Sequence, residues 1–552
     1  GSCKARNGKP SRGSRMAGAD ARREAPHAPG RLLWIALAGL VAVHALLAYL
    51  LFDPKPFVGG DNAGYMALAE ALRTGRGYVD LYLPALPKHA QYPPFYPIVL
   101  ALIGVLGGGL IAFKALSAMF TAASVVVLFL LARSRVGDHA GLAVAGAFAL
   151  NPVLLYYSHW VLSEAPFVFL TLLALWATEE MTTSNRRLIL AVVAASLAYL
   201  TRAAGLPLVL ALIVALAWRR DWKKLALVAP AALAVVGGWW LWGKLAASGS
   251  AHVYSSNFLL VNPYAPEAGY IGPGDLFTRT LANVRLYAVE VLPQSLAGVA
   301  PGGGVGLAAL LASLLVVALA LIAWVRDIRR VKVMELFTLL YAGLIFLWPQ
   351  VWTDRRFLLP LLPVLLVHAA AGVVWCFDFL RAKRPVWILP AAGALLILLA
   401  VPDHIRAVSF NQRCMRFYRQ GDSLACYPPA WRAFVLTADW VRENTDSDAI
   451  VVNRKPRLFY YFARRRGEVY PFTADDDQML GFLNDLGADY VIVDALSGTT
   501  LRYLVPVIRS VPERFEPVHR VGEGDLPTYV LRYIRQPVSG DESGGGDAAS
   551  VR

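Results

Sequence analysis

LIAFKALSAMFTAASVVVLFLLA, residues 110–132, carries one charge, Lys114, and runs directly into Arg133 and Arg135. A helix needs about 20 largely apolar residues to cross a bilayer, and this stretch supplies them. Basic residues just beyond such a run mark its cytoplasmic end. The same pattern recurs along the chain. Of 552 residues, 57% are hydrophobic and only 16% charged, which is too apolar for an ordinary soluble protein. A net charge of +15 would suit a nucleic-acid partner. The basic residues cluster in short stretches between apolar runs, however, so they read as topology signals and no nucleic acid is expected.

Hydropathy marks about eleven spans, at 32–52, 110–132, 139–157, 160–178, 187–203, 205–218, 224–245, 304–325, 333–350, 357–378 and 385–402. Residues 96–106 are apolar but too short to cross, so a re-entrant or interfacial helix is expected there. Basic loops follow the second, fourth, sixth, eighth and tenth spans, and the N-terminal tail is basic too. That pattern puts the N-terminus in the cytoplasm and the C-terminus outside. The first apolar run reads as a retained anchor, because Asp53-Pro54-Lys55-Pro56 follows it with no small-residue cleavage site.

The expected organisation is a disordered basic tail at 1–30, a membrane domain at 31–402 with outer loops 53–109 and 246–303, an extracytoplasmic α/β domain at 403–535, and a disordered tail at 536–552. Within the C-terminal part, 429–444 reads as an amphipathic helix, and 449–453 and 490–494 as short buried strands. Cys414 and Cys426 lie close together in this outer segment and are a disulfide candidate in an oxidising compartment. Asp475-Asp476-Asp477 reads as a helix start rather than a metal cluster. Gly302 to Gly306 follows no strand, so it reads as an entrance to the eighth span and not as a dinucleotide loop. Trp239, Trp240 and Trp242 read as an interfacial belt.

Four charged clusters fall at span ends that this topology gathers on the outer side: Asp61, Glu164, Arg202 and Asp354-Arg355-Arg356. Charge beside hydrocarbon is costly and usually functional. Asp61 fits two readings, a cap for a helix running to about Arg73 or a carboxylate acting as general base or metal ligand. Glu164 fits a metal ligand beside Asp61 or an ion-pair partner of Arg202. His89 and His252 are loop histidines, candidate metal ligands or ordinary exposed side chains. Lys114 fits a snorkelling lysine. Tyr65, Tyr92 and Tyr96 are interfacial aromatics that fit a belt.

The first outer loop reads Gly59-Gly60-Asp61-Asn62-Ala63-Gly64-Tyr65, then Gly75-Arg76-Gly77-Tyr78, then Tyr92-Pro93-Pro94-Phe95-Tyr96-Pro97. Leu162-Ser163-Glu164-Ala165-Pro166, Thr201-Arg202-Ala203-Ala204-Gly205 and Asp354-Arg355-Arg356-Phe357-Leu358-Leu359-Pro360 follow in order. This series resembles the polytopic membrane glycosyltransferases of the GT-C fold, and within them the protein-mannosyltransferase-like and aminoarabinose-transferase-like group. The resemblance spans about residues 30–400 and, more loosely, the C-terminal part. It implies a multi-pass enzyme of a bacterial inner membrane, serving the cell envelope, that takes a sugar from a polyprenyl-phosphate donor at the outer face.

On that resemblance Asp61 takes the acceptor's proton, and direct attack inverts the anomeric carbon. Arg202 with Arg355 or Arg356 holds the donor phosphate, Glu164 orients the acceptor, and Tyr65, Tyr92 and Tyr96 stack on sugar or flank the polyprenyl chain. Relatives place a basic residue near the proline motif of the first loop; here His89 is the nearest match and a lysine is absent, with Lys114 as the substitute. A divalent metal ion is a candidate cofactor, with Asp61, Glu164 and His89 as candidate ligands. The acceptor is a lipid, a glycan or a protein. Two rivals share much of the pattern: a transporter or flippase of lipid-linked sugars, and a polymerase or ligase of lipid-linked glycans. A transporter would place charge at the bilayer midplane and show repeat symmetry, whereas here the charges fall at span ends.

Overall fold

The computed structural model describes residues 30–56, 59–181, 184–246, 258–299, 303–522 and 527–535. His252, Gly302, residues 1–29 and the tail 536–552 lie outside the described residues.

Helices occupy the expected apolar runs. The first ten are α1 (Arg31–Leu50), α2 (Asp61–Arg73), α3 (Phe95–Val105), α4 (Leu110–Val136), α5 (Asp138–Ala149), α6 (Pro152–Tyr157), α7 (Glu164–Thr178), α8 (Asn185–Thr201), α9 (Leu206–Trp218) and α10 (Trp222–Leu245). Further apolar helices are Leu307–Ile328, Val333–Leu347, Leu362–Phe379 and Ile388–Arg419. Six of all these are long and apolar enough to cross a membrane. The third expected span divides into α5 and α6, because Asn151 ends one helix and caps the next, accepting from the backbone N–H of Val153 and Leu154. The short apolar stretch before Leu110 is α3, 11 residues long.

Side chains tie the helix ends together. Arg135, closing α4, pairs with Glu179 beyond α7 at 2.5 Å and with Glu335 of the Val333–Leu347 helix at 2.5 Å. The basic loops behind α4 and α7 and before Val333 therefore meet at one end of the bundle. Asp61, Glu164, Arg202 and Arg356 meet at another site, described below.

The last apolar helix does not stop where its hydropathy does. Pro402 lies inside it, and it continues to Arg419, so the boundary expected at 402 falls within one continuous helix. Its polar end has a bonding role. Asn411 Nδ2 donates to the carbonyls of Leu50 and Phe52 at 2.9 and 3.0 Å, satisfying the end of α1. Cys414 in this helix is disulfide-bonded to Cys426.

The C-terminal part is a small mixed sheet with helices. Its strands β1 (Val451–Val452), β2 (Tyr490–Val493), β3 (Phe515–Val521) and β4 (Thr528–Tyr533) lie in the order β1-β2-β4-β3. β1 pairs with β2 in parallel, and β4 runs antiparallel to both β2 and β3. Helix Pro429–Asn444 lays Phe434, Ala438 and Val441 onto Val451, Ile492 and Val530. Each fully buried Phe of this layer is worth about 1.5–3 kcal/mol. Asp475 caps helix Asp476–Leu486, accepting from the Gln478 N–H at 2.8 Å, as its position suggests.

Candidate active site

Gly60 adopts φ 91°, a left-handed turn that favours glycine, and delivers Asp61 as the first residue of α2. Among the described residues no backbone N–H of α2 donates to the Asp61 side chain. Asp61 Oδ1 instead accepts from the Tyr92 hydroxyl at 2.9 Å, and Oδ2 accepts from Arg356 Nη1 at 2.7 Å. The capping reading of Asp61 is thus corrected: two stronger donors claim both oxygens.

Arg356 lies in a single 3-10 turn, Arg355–Leu358, that Asp354 caps by accepting from the Arg356 N–H at 3.2 Å. Tyr157 steadies Asp354 with a 3.0 Å bond. Glu164 opens α7 and accepts from Arg202 Nη1 at 2.6 Å, while Arg356 Nη1 stands 3.7 Å from the same oxygen. Arg202 closes α8 in extended backbone and also donates to Ser163 Oγ at 2.8 Å. Four span ends thereby meet in one charged network. Asp61 remains 27% exposed and Glu164 only 2%, so Asp61 is the carboxylate that an incoming molecule can reach.

Burial alone would push the Asp61 carboxyl upward. The charge and hydrogen bond of Arg356, the charge of Arg457 and the Tyr92 bond outweigh it and hold the group at about 2. The carboxylate is therefore ionised and purely an acceptor.

Several expected roles change. Tyr65, Tyr92 and Tyr96 are buried, with Tyr96 wholly enclosed. Tyr65 stacks on Tyr92 at 4.6 Å and donates to Ser163 Oγ at 2.8 Å. They brace the network from behind and are not an open stacking platform. His89 Nδ1 bonds Asp80 Oδ1 at 2.7 Å, and its Nε2 accepts from the Tyr92 N–H at 2.8 Å. A ring that accepts at Nε2 and donates at Nδ1 is neutral, and burial lowers its pKa further. His89 thus shapes the loop and does not fit a phosphate or metal ligand. Lys114 donates to the carbonyls of Asp53 and Lys55 and lies 4.1 Å from the Trp160 ring centroid. It is wholly buried, so its ammonium does not snorkel to solvent. Trp242 donates to the His89 carbonyl at 2.8 Å, so it clamps the first loop, whereas Trp240 is exposed as a belt residue would be.

The proposed metal ligands do not fit a metal ion. Asp61 and Glu164 turn to guanidiniums, and His89 has both nitrogens engaged. Among the described residues no group of three or more His, Cys, Asp or Glu side chains converges.

Arg355 is placed differently from its neighbour. Among the described residues its guanidinium makes no hydrogen bond or ion pair, and its charge acts on Tyr156. Arg457 was not anticipated. This residue sits on helix Pro456–Ala463 of the C-terminal unit and bonds Tyr82, Gln91 and Tyr92 of the first loop. No motif flags it; only the packing of that helix on α2 brings it in.

Residues 91–242 match the family model described as Dolichyl-phosphate-mannose-protein mannosyltransferase. No curated protein matches the chain in sequence. Among solved structures, ArnT from Cupriavidus metallidurans is similar in its apo state, at TM-score 0.57 and 13% identity, covering 91% of this chain and 98% of that one. The same protein bound to undecaprenyl phosphate gives TM-score 0.55 at 13% identity, covering 92% and 99%. The archaeal oligosaccharyltransferase AglB from Archaeoglobus fulgidus, in complex with an inhibitory peptide and a dolichol-phosphate, gives TM-score 0.54 at 16% identity, covering 92% and 76%. An Archaeoglobus fulgidus oligosaccharyltransferase in complex with Zn and sulfate gives TM-score 0.54 at 17% identity, covering 88% and 72%. The fold is therefore that of the polytopic GT-C membrane glycosyltransferases, in its ArnT-like form. Its segment 91–242 carries the mannosyltransferase family's pattern.

Proposed function

We propose that this chain transfers a sugar from a polyprenyl-phosphate carrier to an acceptor hydroxyl or amine at the outer surface of a bacterial inner membrane, with its C-terminal unit on the extracytoplasmic side. The observation that carries the reading is the ionised, reachable Asp61 carboxylate held between Arg356 and Tyr92. The family match and the ArnT-like fold support the donor class.

In this reading the acceptor's O–H or N–H faces Asp61, which takes the proton as the heteroatom bonds to the anomeric carbon. The bond from that carbon to the phosphate oxygen breaks, and its electron pair leaves with the polyprenyl phosphate. Arg355 meets the growing phosphate charge, and Arg202 and Arg356 keep the surroundings positive. One displacement inverts the anomeric centre. Glu164 is bonded to Arg202 and serves to hold that guanidinium.

The test incubates the purified protein with undecaprenyl phosphate carrying mannose, glucose, galactose or aminoarabinose, together with cell-envelope extract. Products are identified by mass spectrometry. Transfer by the wild type and its loss in Asp61→Asn are expected. Full transfer by Asp61→Asn would remove Asp61 from the reaction.

A further inference from the structure

We propose that Arg457, carried by the C-terminal unit, is a positioning residue for the Asp61 carboxylate and acts through the Tyr92 hydroxyl. The inference rests on Asp61 being the base. Asn453 Oδ1 accepts from the Lys455 N–H at 2.9 Å and so sets the turn that starts the Arg457 helix. From there the guanidinium donates through Nε to the Tyr82 hydroxyl at 3.2 Å, and through its two Nη groups to the Tyr92 hydroxyl and Gln91 Oε1. The Arg457 guanidinium also lies 4.9 Å from the Tyr92 ring centroid. Gly64 makes room for this approach. A Cβ there would meet Arg457 Cδ and Tyr92 Cε2 at 3.1 Å.

A phenol has a single hydrogen to donate. Once its oxygen accepts from Arg457, that hydrogen is free to point at Asp61 Oδ1, 2.9 Å away. Arg356 fixes the other carboxylate oxygen from the membrane part of the chain. Asp61 is thus oriented from two sides by groups about 100 positions apart along the chain (356 and 457), one of which arrives only when the C-terminal unit is docked. Lysine could not replace the fork, because three acceptors in three directions need guanidinium geometry.

Arg457 could instead be simple glue between the two parts, as Arg464 is: it pairs with Glu70 of α2 at 2.9 Å, exposed to solvent. The experiment separates these roles. Wild type, Arg457→Gln, Arg457→Lys, Tyr92→Phe, the Arg457→Gln/Tyr92→Phe pair and Arg464→Gln are assayed for release of undecaprenyl phosphate from the four sugar donors named above. Arg457→Gln lowers kcat roughly 10-fold or more, with the donor KM little changed, and Arg457→Lys recovers only part of it. The double variant is no slower than the slower single one, because both act on one bond. Arg464→Gln stays within about two-fold of wild type.

A second measurement needs no donor. The carbonyl stretch of protonated Asp61, assigned by its disappearance in Asp61→Asn, is titrated by infrared spectroscopy. Removing Arg457 removes a charge that holds Asp61 ionised, so the band appears at higher pH in Arg457→Gln, and the acid limb of activity moves up with it. Losses that multiply in the double variant, or an unshifted infrared titration, would overturn the relay. If the wild type releases undecaprenyl phosphate from no donor, the transferase reading falls by itself, and the infrared titration still decides the role of Arg457.

Discussion

Arg356 Nη1 reaches Asp61 Oδ2 at 2.7 Å across 295 positions of sequence, and the same nitrogen stands 3.7 Å from Glu164 Oε1. One guanidinium therefore keeps two carboxylates from repelling each other. Arg356→Gln should lower transfer roughly 100-fold or more, because both the charge balance and the Asp61 orientation are lost. Asp61→Asn should lower it by roughly 10²–10⁴ while the protein melts close to wild type, because the amide fills the same space. Steady-state transfer and a thermal melt of both variants check this. An active Arg356→Gln enzyme would show that the pair is structural.

The pH dependence of this pair has a definite sign. The Asp61 carboxyl is held at about 2, below its ordinary 3.8. Its contribution to stability is fully present above the ordinary value and is lost as the pH falls toward 2. Between pH 5 and 8 Asp61 does not titrate, so any activity change in that window must come from another group. An Asp61-dependent infrared carboxyl band appearing near pH 6 in the wild type would contradict this.

Arg355 and Arg356 are neighbours with different expected phenotypes. Arg356 is bonded before any substrate arrives, whereas the Arg355 guanidinium makes no hydrogen bond or ion pair among the described residues. Arg355→Gln should leave the melting temperature unchanged and weaken binding of undecaprenyl phosphate roughly 10-fold or more, the scale of a charge-assisted bond. Binding of the lipid phosphate alone, without sugar, is the cleanest readout. Unchanged affinity would assign the phosphate to other cations.

His89 offers a test of metal involvement. Both its nitrogens are spent on Asp80 and the Tyr92 backbone. His89→Phe should therefore destabilise the first loop by about 1–3 kcal/mol, the cost of stranding buried partners. Chelators should leave wild-type activity unchanged. Loss of activity in chelator, restored by one divalent ion, would mean that Asp61 and Glu164 rearrange from their present ion pairs.

Legibility in the sequence followed the range of the interactions. Apolar runs at 110–132 and 333–350 announce helices because burial in lipid depends on local composition. Asp61, Glu164, Arg202 and Arg356 stood out as charges at span ends, and a shared end of the bundle could be argued from loop charge alone. The β3–β4 hairpin was not anticipated, since its burial alternates weakly and Pro517 interrupts the first strand. The partners of His89 and Lys114 were hidden too: a backbone carbonyl or N–H leaves no trace in residue identity. Arg457 was least legible. Its importance comes from a helix docking on α2 some 390 positions away, and nothing local distinguishes it from Arg454 or Arg464.

A disulfide sets where that docking unit begins. Cys414 is almost fully buried near the end of the long Ile388–Arg419 helix, and its bond to Cys426 closes the chain just before helix Pro429–Asn444 begins. The bridge fixes where the C-terminal unit leaves the bundle. A loop of this size contributes about 3 kcal/mol in the chain-entropy account. Replacing both cysteines by serine should lower the melting temperature by several degrees, and more for the C-terminal unit than for the bundle. The effect on activity should be smaller than that of Arg457→Gln, because Arg457 still holds the unit to the first loop, and Arg464 and the packing of Phe459 still hold it onto α2. Thermal melts read beside transfer rates decide it. A serine double variant that keeps its stability but loses transfer would mean that the bridge, and not Arg457, sets the position of the C-terminal unit over Asp61.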